Sequence, residues 1–277
     1  MSSTLLPVVS YDRLPARASA AARVLSVVDD PTSGAVQVAR AIAADPALAA
    51  RTIALANSAY YGLSSRIATL PYAIAVIGLQ TIRALAVSVA AGMDDPDSAP
   101  EEFWDQAATV ATAASLIAPI LGAGTADAFT LGLLHCLGSA LLHLQQPLPG
   151  LCLARSDGVS DVCEREYALY GIDHAQAGAR ALRAWRFPSG FCALVADHHD
   201  VPLPDAGPLE RCLHAARELA ELCLRPDVEQ NQALQRIQWL SQGRLTPAMI
   251  PPLAAQIYEH SAALLSGLEP YRRPEHP

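Results

Sequence analysis

Four histidines and one thiol are the side chains whose types and spacing could do chemistry in this chain. They fall at His135-Cys136 within the apolar run 131–138, at His174 directly after Asp173, and at the pair His198-His199 preceded by Asp197. Imidazole and carboxylate together hold divalent metals that activate water, and helical proteins collect such ligands one or two at a time from several helices. Neighbouring residues on a helix point about 100° apart, so a His-carboxylate pair reaches one ion only where it lines a cleft between helices. Here Cys136 stands where the carboxylate of such a pair belongs. Against the ligand reading stands a plainer one, in which a histidine on an apolar face is a satisfied core residue and a free cysteine a small buried hydrophobe. Other chemistries find less support. There is no Gly-x-Ser-x-Gly elbow, Gly122-Ala123-Gly124 reads as a helix-helix turn, and Asp161, Glu164, Arg165 and Glu166 read as a solvated helix face.

Composition narrows the field. The 277 residues are 52% hydrophobic and 17% charged, ample for a core, and carry a net charge of −8. All 19 cationic residues are arginine, which excludes lysine Schiff bases, P-loop lysines and polylysine membrane patches. Arginines dispersed in an acidic chain also argue against nucleic acid as a partner. The six cysteines form no C-x-x-C pair, and the first residues lack a basic segment followed by a long apolar one; both point to a cytoplasmic protein with reduced thiols and no signal peptide. Two uncharged stretches, 107–126 and 128–154, are long enough to imitate membrane spans. Their internal prolines, glycines and histidines make them buried core helices instead, and no membrane association is expected.

The elements that must position the histidines read as helices throughout, so the fold class is all-α. Val24, Leu25 and Val28 mark a first helix, Ser33 is placed to cap a second, and Asp45-Pro46 starts a third that runs to about Gly62. Pro71 opens a helix interrupted at Gly78. Residues 93–100 read as a linker, followed by helices over about 101–121, 125–145 and 161–170, the last stopped by Gly171. Asp173 reads as the N-cap of a helix to Trp185, and Pro188 opens one that reaches His199. A second linker, 200–208, precedes helices over about 209–224, 228–240 and 247–265.

Several of these segments resemble one family. Asp45-Pro46-Ala47-Leu48, Asn57-Ser58-Ala59-Tyr60-Tyr61-Gly62 and Ala73-Ile74 leading to Gly78 look like the first half of an HDOD domain. Phe103-Trp104, Gly132-Leu133-Leu134-His135 with Gly138, Gly171-Ile172-Asp173-His174 with Gly178, Trp185-Arg186-Phe187-Pro188 and His198-His199 continue the likeness. The resemblance implies a multi-helix fold related to the HD and HD-GYP metal-dependent phosphohydrolases. Its parts are an N-terminal helical half (1–93) packed on an HD-like half (101–203) within a domain of residues 1–207, and a helical extension over 208–277.

It implies equally a regulatory rather than catalytic role, because HDOD proteins are regarded as non-enzymatic signalling modules that work by protein-protein contact. The partners implied are cyclic-di-GMP enzymes or histidine kinases. The chain departs even from the usual pattern: where the family commonly reads His-Asp-Ile-Gly-Lys, it has His135-Cys136-Leu137-Gly138-Ser139, and Asp105-Gln106 follow Trp104 where an active enzyme has a histidine. No catalytic residue and no cofactor is therefore expected. His135, His174, His198 and His199 stay as candidates for a residual or adventitious divalent metal. Tyr60, Tyr61 and Arg66 are candidate contacts at the rim of a cleft between the halves. The alternatives are a divergent metal-dependent phosphohydrolase and a small-ligand sensor using that cleft.

Overall fold

The computed structural model describes residues 16–44, 46–62, 67, 69–90, 103–143, 159–184, 187–225 and 230–268. Among them every regular element is helical. The helices run α1 (Ala16–Val28), α2 (Ala35–Ala43), α3 (Pro46–Ala56), α4 (Leu70–Ala90), α5 (Phe103–Leu121), α6 (Thr125–Leu134), α7 (Leu137–His143), α8 (Val159–Tyr170), α9 (His174–Ala184), α10 (Ser189–Ala196), α11 (Pro208–Leu224), α12 (Gln230–Leu240) and α13 (Ile250–Leu268). Short 3-10 turns cover Ala59–Tyr61 and Pro247–Met249.

The start and stop signals act as their chemistry demands, with three instructive exceptions. Gly78 does interrupt α4: its φ of 79° and ψ of 159° lie where an L side chain is strained, so the helix kinks there and nowhere else along its length. Asp173 caps α9, its Oδ1 accepting from the Gln176 amide at 2.8 Å. At α2, however, the N-cap is Gly34 rather than Ser33, and Gln37 reaches back to accept from the Gly34 amide at 3.0 Å. Helix α3 ends at Ala56, six residues short of Gly62, because Asn57 turns to clamp the backbone of Ile67. It donates to the carbonyl at 2.7 Å and accepts from the amide at 2.9 Å. The single helix expected over 125–145 is broken into α6 and α7 by a turn at His135 and Cys136. Asp45, the linker 93–100 and Trp185 lie outside the described residues.

Helix α4 packs on α1, α2, α3 and α6, and α5 forms the centre of the other half, against α6, α11 and α13. Val24, Ile42, Ile74 and Ile82 from the first group, and Ile117, Leu131, Leu137 and Leu182 from the second, belong to one continuous apolar core. The described helices after residue 207 contribute to it as well. Leu213, Leu219, Ile237, Ile257 and Leu264 join the same core, and α13 returns to touch α3 and the Ala59–Tyr61 turn. Among the described residues two stretches are long and apolar enough to cross a membrane, Leu70–Ala90 and Thr125–His143. Each has 72% of its apolar window buried against other helices, which is where core helices put such surface. The uncharged stretch from residue 107 is likewise the buried face of α5.

Candidate functional site: a buried histidine and cysteine cluster

Two glycines let the helices that carry the histidines approach each other. A Cβ on Gly132 would lie 2.7 Å from the Ala111 Cα, so α6 presses its backbone on α5. A Cβ on Gly138 would lie 1.8 Å from the His174 carbonyl oxygen, so α7 and the start of α9 are in backbone contact. The turn between α6 and α7 thus delivers His135 and Cys136 beside His174. The pair His198-His199 arrives from the turn after α10 rather than from its last helical residues, since α10 stops at Ala196.

All four candidate histidines converge. The rings of His135 and His198 are 5.3 Å apart, those of His174 and His198 5.3 Å, and those of His174 and His199 4.6 Å. His135, His174 and His198 are buried. Their hydrogen-bond partners fix the tautomers. His135 and His198 each sit just beyond a helix end and donate from Nδ1 to the carbonyl three residues back, Gly132 and Val195, both at 2.7 Å. The Nε2 of His135 then carries a lone pair, which accepts from the Cys136 thiol at 3.0 Å.

A second chain runs through His174. Its backbone amide (2.8 Å) and its Nδ1 (2.7 Å) both meet Oε2 of Glu166, a fully buried carboxylate. With Nδ1 donating, the His174 Nε2 accepts, and it faces the Nε2 of His199 at 2.6 Å. His199 must therefore donate from Nε2 and accept at Nδ1, where Nη2 of Arg217 donates at 3.1 Å. The other arm of Arg217 donates to the His198 carbonyl. The result is a one-way relay, Arg217 to His199 to His174 to Glu166, with a cation at one end and an anion at the other and neutral imidazoles between. Burial, reinforced by Arg217, holds His135 down to about 3. Burial depresses His199 too, followed by Arg217, and depresses His198, where His199 adds to the effect.

The metal implied by the likeness to HD hydrolases is a poor match for this arrangement. Donor atoms of Cys136, His174 and His198 do lie within 4.8 Å of one another, as do those of Cys163, His174 and His199. But the His174 and His199 nitrogens at 2.6 Å are at hydrogen-bond distance, whereas two nitrogens on one tetrahedral ion with bonds of ~2.1 Å sit about 3.4 Å apart. Neither donor group contains a carboxylate, and a guanidinium borders the cluster.

Other expected site residues fare differently. Tyr60 and Tyr61 are half-buried and packed against the core. The Tyr60 hydroxyl donates to Ser115 Oγ at 2.6 Å and its ring packs on Phe129 at 5.3 Å and edge-on to Tyr61 at 4.8 Å, so both tyrosines are packing residues of the core. Arg66 lies outside the described residues. Glu166, read as part of a solvated face, is the buried anchor of His174, whereas its neighbours Glu164 and Arg165 are exposed. The spacing did hold a signal, because Val162, Glu166 and Tyr170 recur every four residues and all three are buried. Arg217 and Cys163 carried no such signal. The cavity beside the cluster, about 300 Å³, is bordered by His199, Asp200, Arg217, Glu218, Arg236 and Trp239. It opens between the His198-His199 turn and α11 and α12, not between the two halves.

Comparison with known proteins agrees with the helical architecture. A Shewanella amazonensis SB2B protein, provisionally described as a phosphohydrolase, is 26% identical; its crystal structure matches with a TM-score of 0.67 over 93% of this chain and 96% of its own. A Geobacter sulfurreducens HDOD domain protein of unknown function shares the fold at a TM-score of 0.63 and 22% identity, covering 91% and 93% of the two chains. A curated Treponema pallidum (strain Nichols) protein, itself uncharacterised, is 25% identical over 197 residues. That match spans 69% of this chain but only 38% of the relative's length. The HDOD domain profile matches residues 14–201, more than half of the chain and the whole span of the histidine motifs, and the chain belongs to the HDOD family.

Proposed function

We propose that this chain is a non-enzymatic regulatory module of bacterial signal transduction, acting in the cytoplasm by protein-protein contact. Signalling enzymes such as those of cyclic-di-GMP turnover, or histidine kinases, are the partners this reading favours. One observation carries it. The imidazoles that would hold a catalytic ion are engaged instead with protein groups, His135 with Cys136 and His174 with Glu166 and His199. A hydrolytic ion needs ligands free to coordinate and an open position for water. The test is turnover of cyclic-di-GMP and of a generic phosphodiester by the purified protein with manganese, iron or zinc added. The expected result is no turnover above buffer; hydrolysis that disappears in a His198→Ala, His199→Ala double variant would sink the proposal.

The rival is a divergent metal-dependent phosphohydrolase, and a specific observation favours it. Nε2 of His198 is buried without a hydrogen-bond partner and lies within the group that includes Cys136 and His174. The same assays decide between the two.

A further inference from the structure

The cluster is rich in acceptors. Besides the lone pair on His198 Nε2, the second oxygen of Glu166, Oε1, is buried without a hydrogen-bond partner. A buried carboxylate and several neutral imidazoles with inward lone pairs need a positive charge nearby. In a metal enzyme that charge is the ion. Here the structure places a guanidinium at the same cluster, from α11, beyond the residues matched by the family profile. We infer that Arg217 acts as the resident cation of this site, taking over the electrostatic role of a metal and keeping divalent ions out. The inference rests on the regulatory reading and explains how the site stays inert.

Three observations support it. Arg217 donates to both members of the turn, the His198 carbonyl and the His199 Nδ1, so it fixes the turn and the His199 tautomer together. That tautomer directs the His199 Nε2 proton at His174, which spends the His174 lone pair a metal would use. Arg217 also sits at the heart of the cluster, bonded to His199, whose ring lies 4.6 Å from that of His174 and 4.0 Å from that of His198. A guanidinium cannot shed its proton in a protein, so its repulsion of a dication does not relax with pH. The groups facing it also include Glu218 and Glu221 on its own helix, whose carboxylates offset part of the cost of burying it, and the neutral thiols of Cys136 and Cys163 across the site.

The test uses the full chain and zinc alone. Wild type and Arg217→Met, which keeps length without charge, are incubated with excess zinc, desalted and analysed for metal by atomic emission. Wild type is expected to retain well under one zinc per chain. Arg217→Met is expected to retain about one and to bind about a hundredfold tighter or more in competition with a chelating dye. That gain should vanish when His174→Ala and His198→Ala are added. One tightly held zinc in the wild type, or a folded Arg217→Met that takes up no more than wild type, overturns the inference. Nitrogen-15 imidazole NMR of the wild type needs no variant: the expected pattern is His174 protonated at Nδ1 and His199 at Nε2, and a His199 protonated at Nδ1 overturns it. Zinc in a wild type that hydrolyses nothing would remove this inference while leaving the regulatory reading intact.

Discussion

The helices before the 93–100 segment and the helices around the histidines are buried to a similar degree but by different means. In the first group the interior is aliphatic, with Val24, Ile42, Leu48, Ile74 and Ile82, and polar side chains such as Thr52 and Asn57 bond to backbone close by in sequence, while Arg83 of α4 pairs with Asp29 at 3.1 Å. Thr52 donates to the Leu48 carbonyl at 2.8 Å, and Asn57 closes on Ile67. In the second, α6 to α10 enclose a polar centre whose bonds run between helices and have a direction. None of the eight histidines occurs before residue 135. The contrast separates two kinds of stability. Apolar packing tolerates small shifts, whereas a hydrogen-bonded polar core is stable only when every member is in place, since each orphaned buried group carries its full desolvation cost. The first region is therefore a scaffold, and the second is where substitutions should be felt most sharply.

The largest effect is expected from Gly138→Ala. The added Cβ would fall 1.8 Å from the His174 oxygen and 2.7 Å from the Gly178 amide nitrogen, backbone atoms that cannot swing aside. A loss of about 4 kcal/mol or more in urea unfolding is expected, from forced separation of α7 and α9. Glu166→Ala should come next, at about 3 kcal/mol, because it leaves the His174 amide and Nδ1 without an acceptor. Glu166→Gln keeps one acceptor oxygen and should cost less. If both Glu166 variants behave like exposed substitutions, the polar centre does not stabilise the second region and the contrast fails.

How much of this was legible beforehand follows the same division. Signals confined to a few neighbours worked: Gly78 kinks α4, Gly171 ends α8 and Asp173 caps α9. The four histidines were legible as a set because their motifs are ordered along the chain. The break at His135-Cys136 was not, since Leu133, Leu134 and Leu137 continue an apolar helical pattern through it, and the turn follows from tertiary contact at Gly132 and Gly138. Glu166 was hidden among exposed charges. Arg217 is 43 residues from His174 in sequence, counting from 174 to 217, and no local pattern predicts their relay through His199.

Acid should weaken the second region alone. Burial holds His135 at about 3 and His214 at about 4, against an ordinary value of 6.5, so both are neutral in the folded protein. The unfolded chain takes up protons near 6.5 that the folded chain refuses. Stability is therefore complete above that pH and falls as pH drops from about 6.5, down to about 4 for His214 and about 3 for His135, by at most ~1.4 kcal/mol per pH unit for each histidine. Hydrogen exchange at pH 7 and pH 5.5 locates the loss: amides of α7, α9 and α10 should open sooner at the lower pH, while those of α1 to α3 keep their protection.

The smallest effect sharpens the boundary between the regions. Tyr60, from the turn after α3, reaches across to α5, where its hydroxyl donates to Ser115 Oγ, and Ser115 in turn donates to the Thr112 carbonyl at 2.9 Å. Tyr60→Phe removes the first bond but leaves Ser115 with its backbone partner and the ring on Phe129. A loss of about 1 kcal/mol in unfolding free energy is expected. The dependence of stability on pH should stay as in the wild type, because the hydroxyl touches none of the histidines of the cluster. If Tyr60→Phe instead steepens that dependence, the apolar scaffold is transmitting strain into the relay, and the two regions respond as one unit.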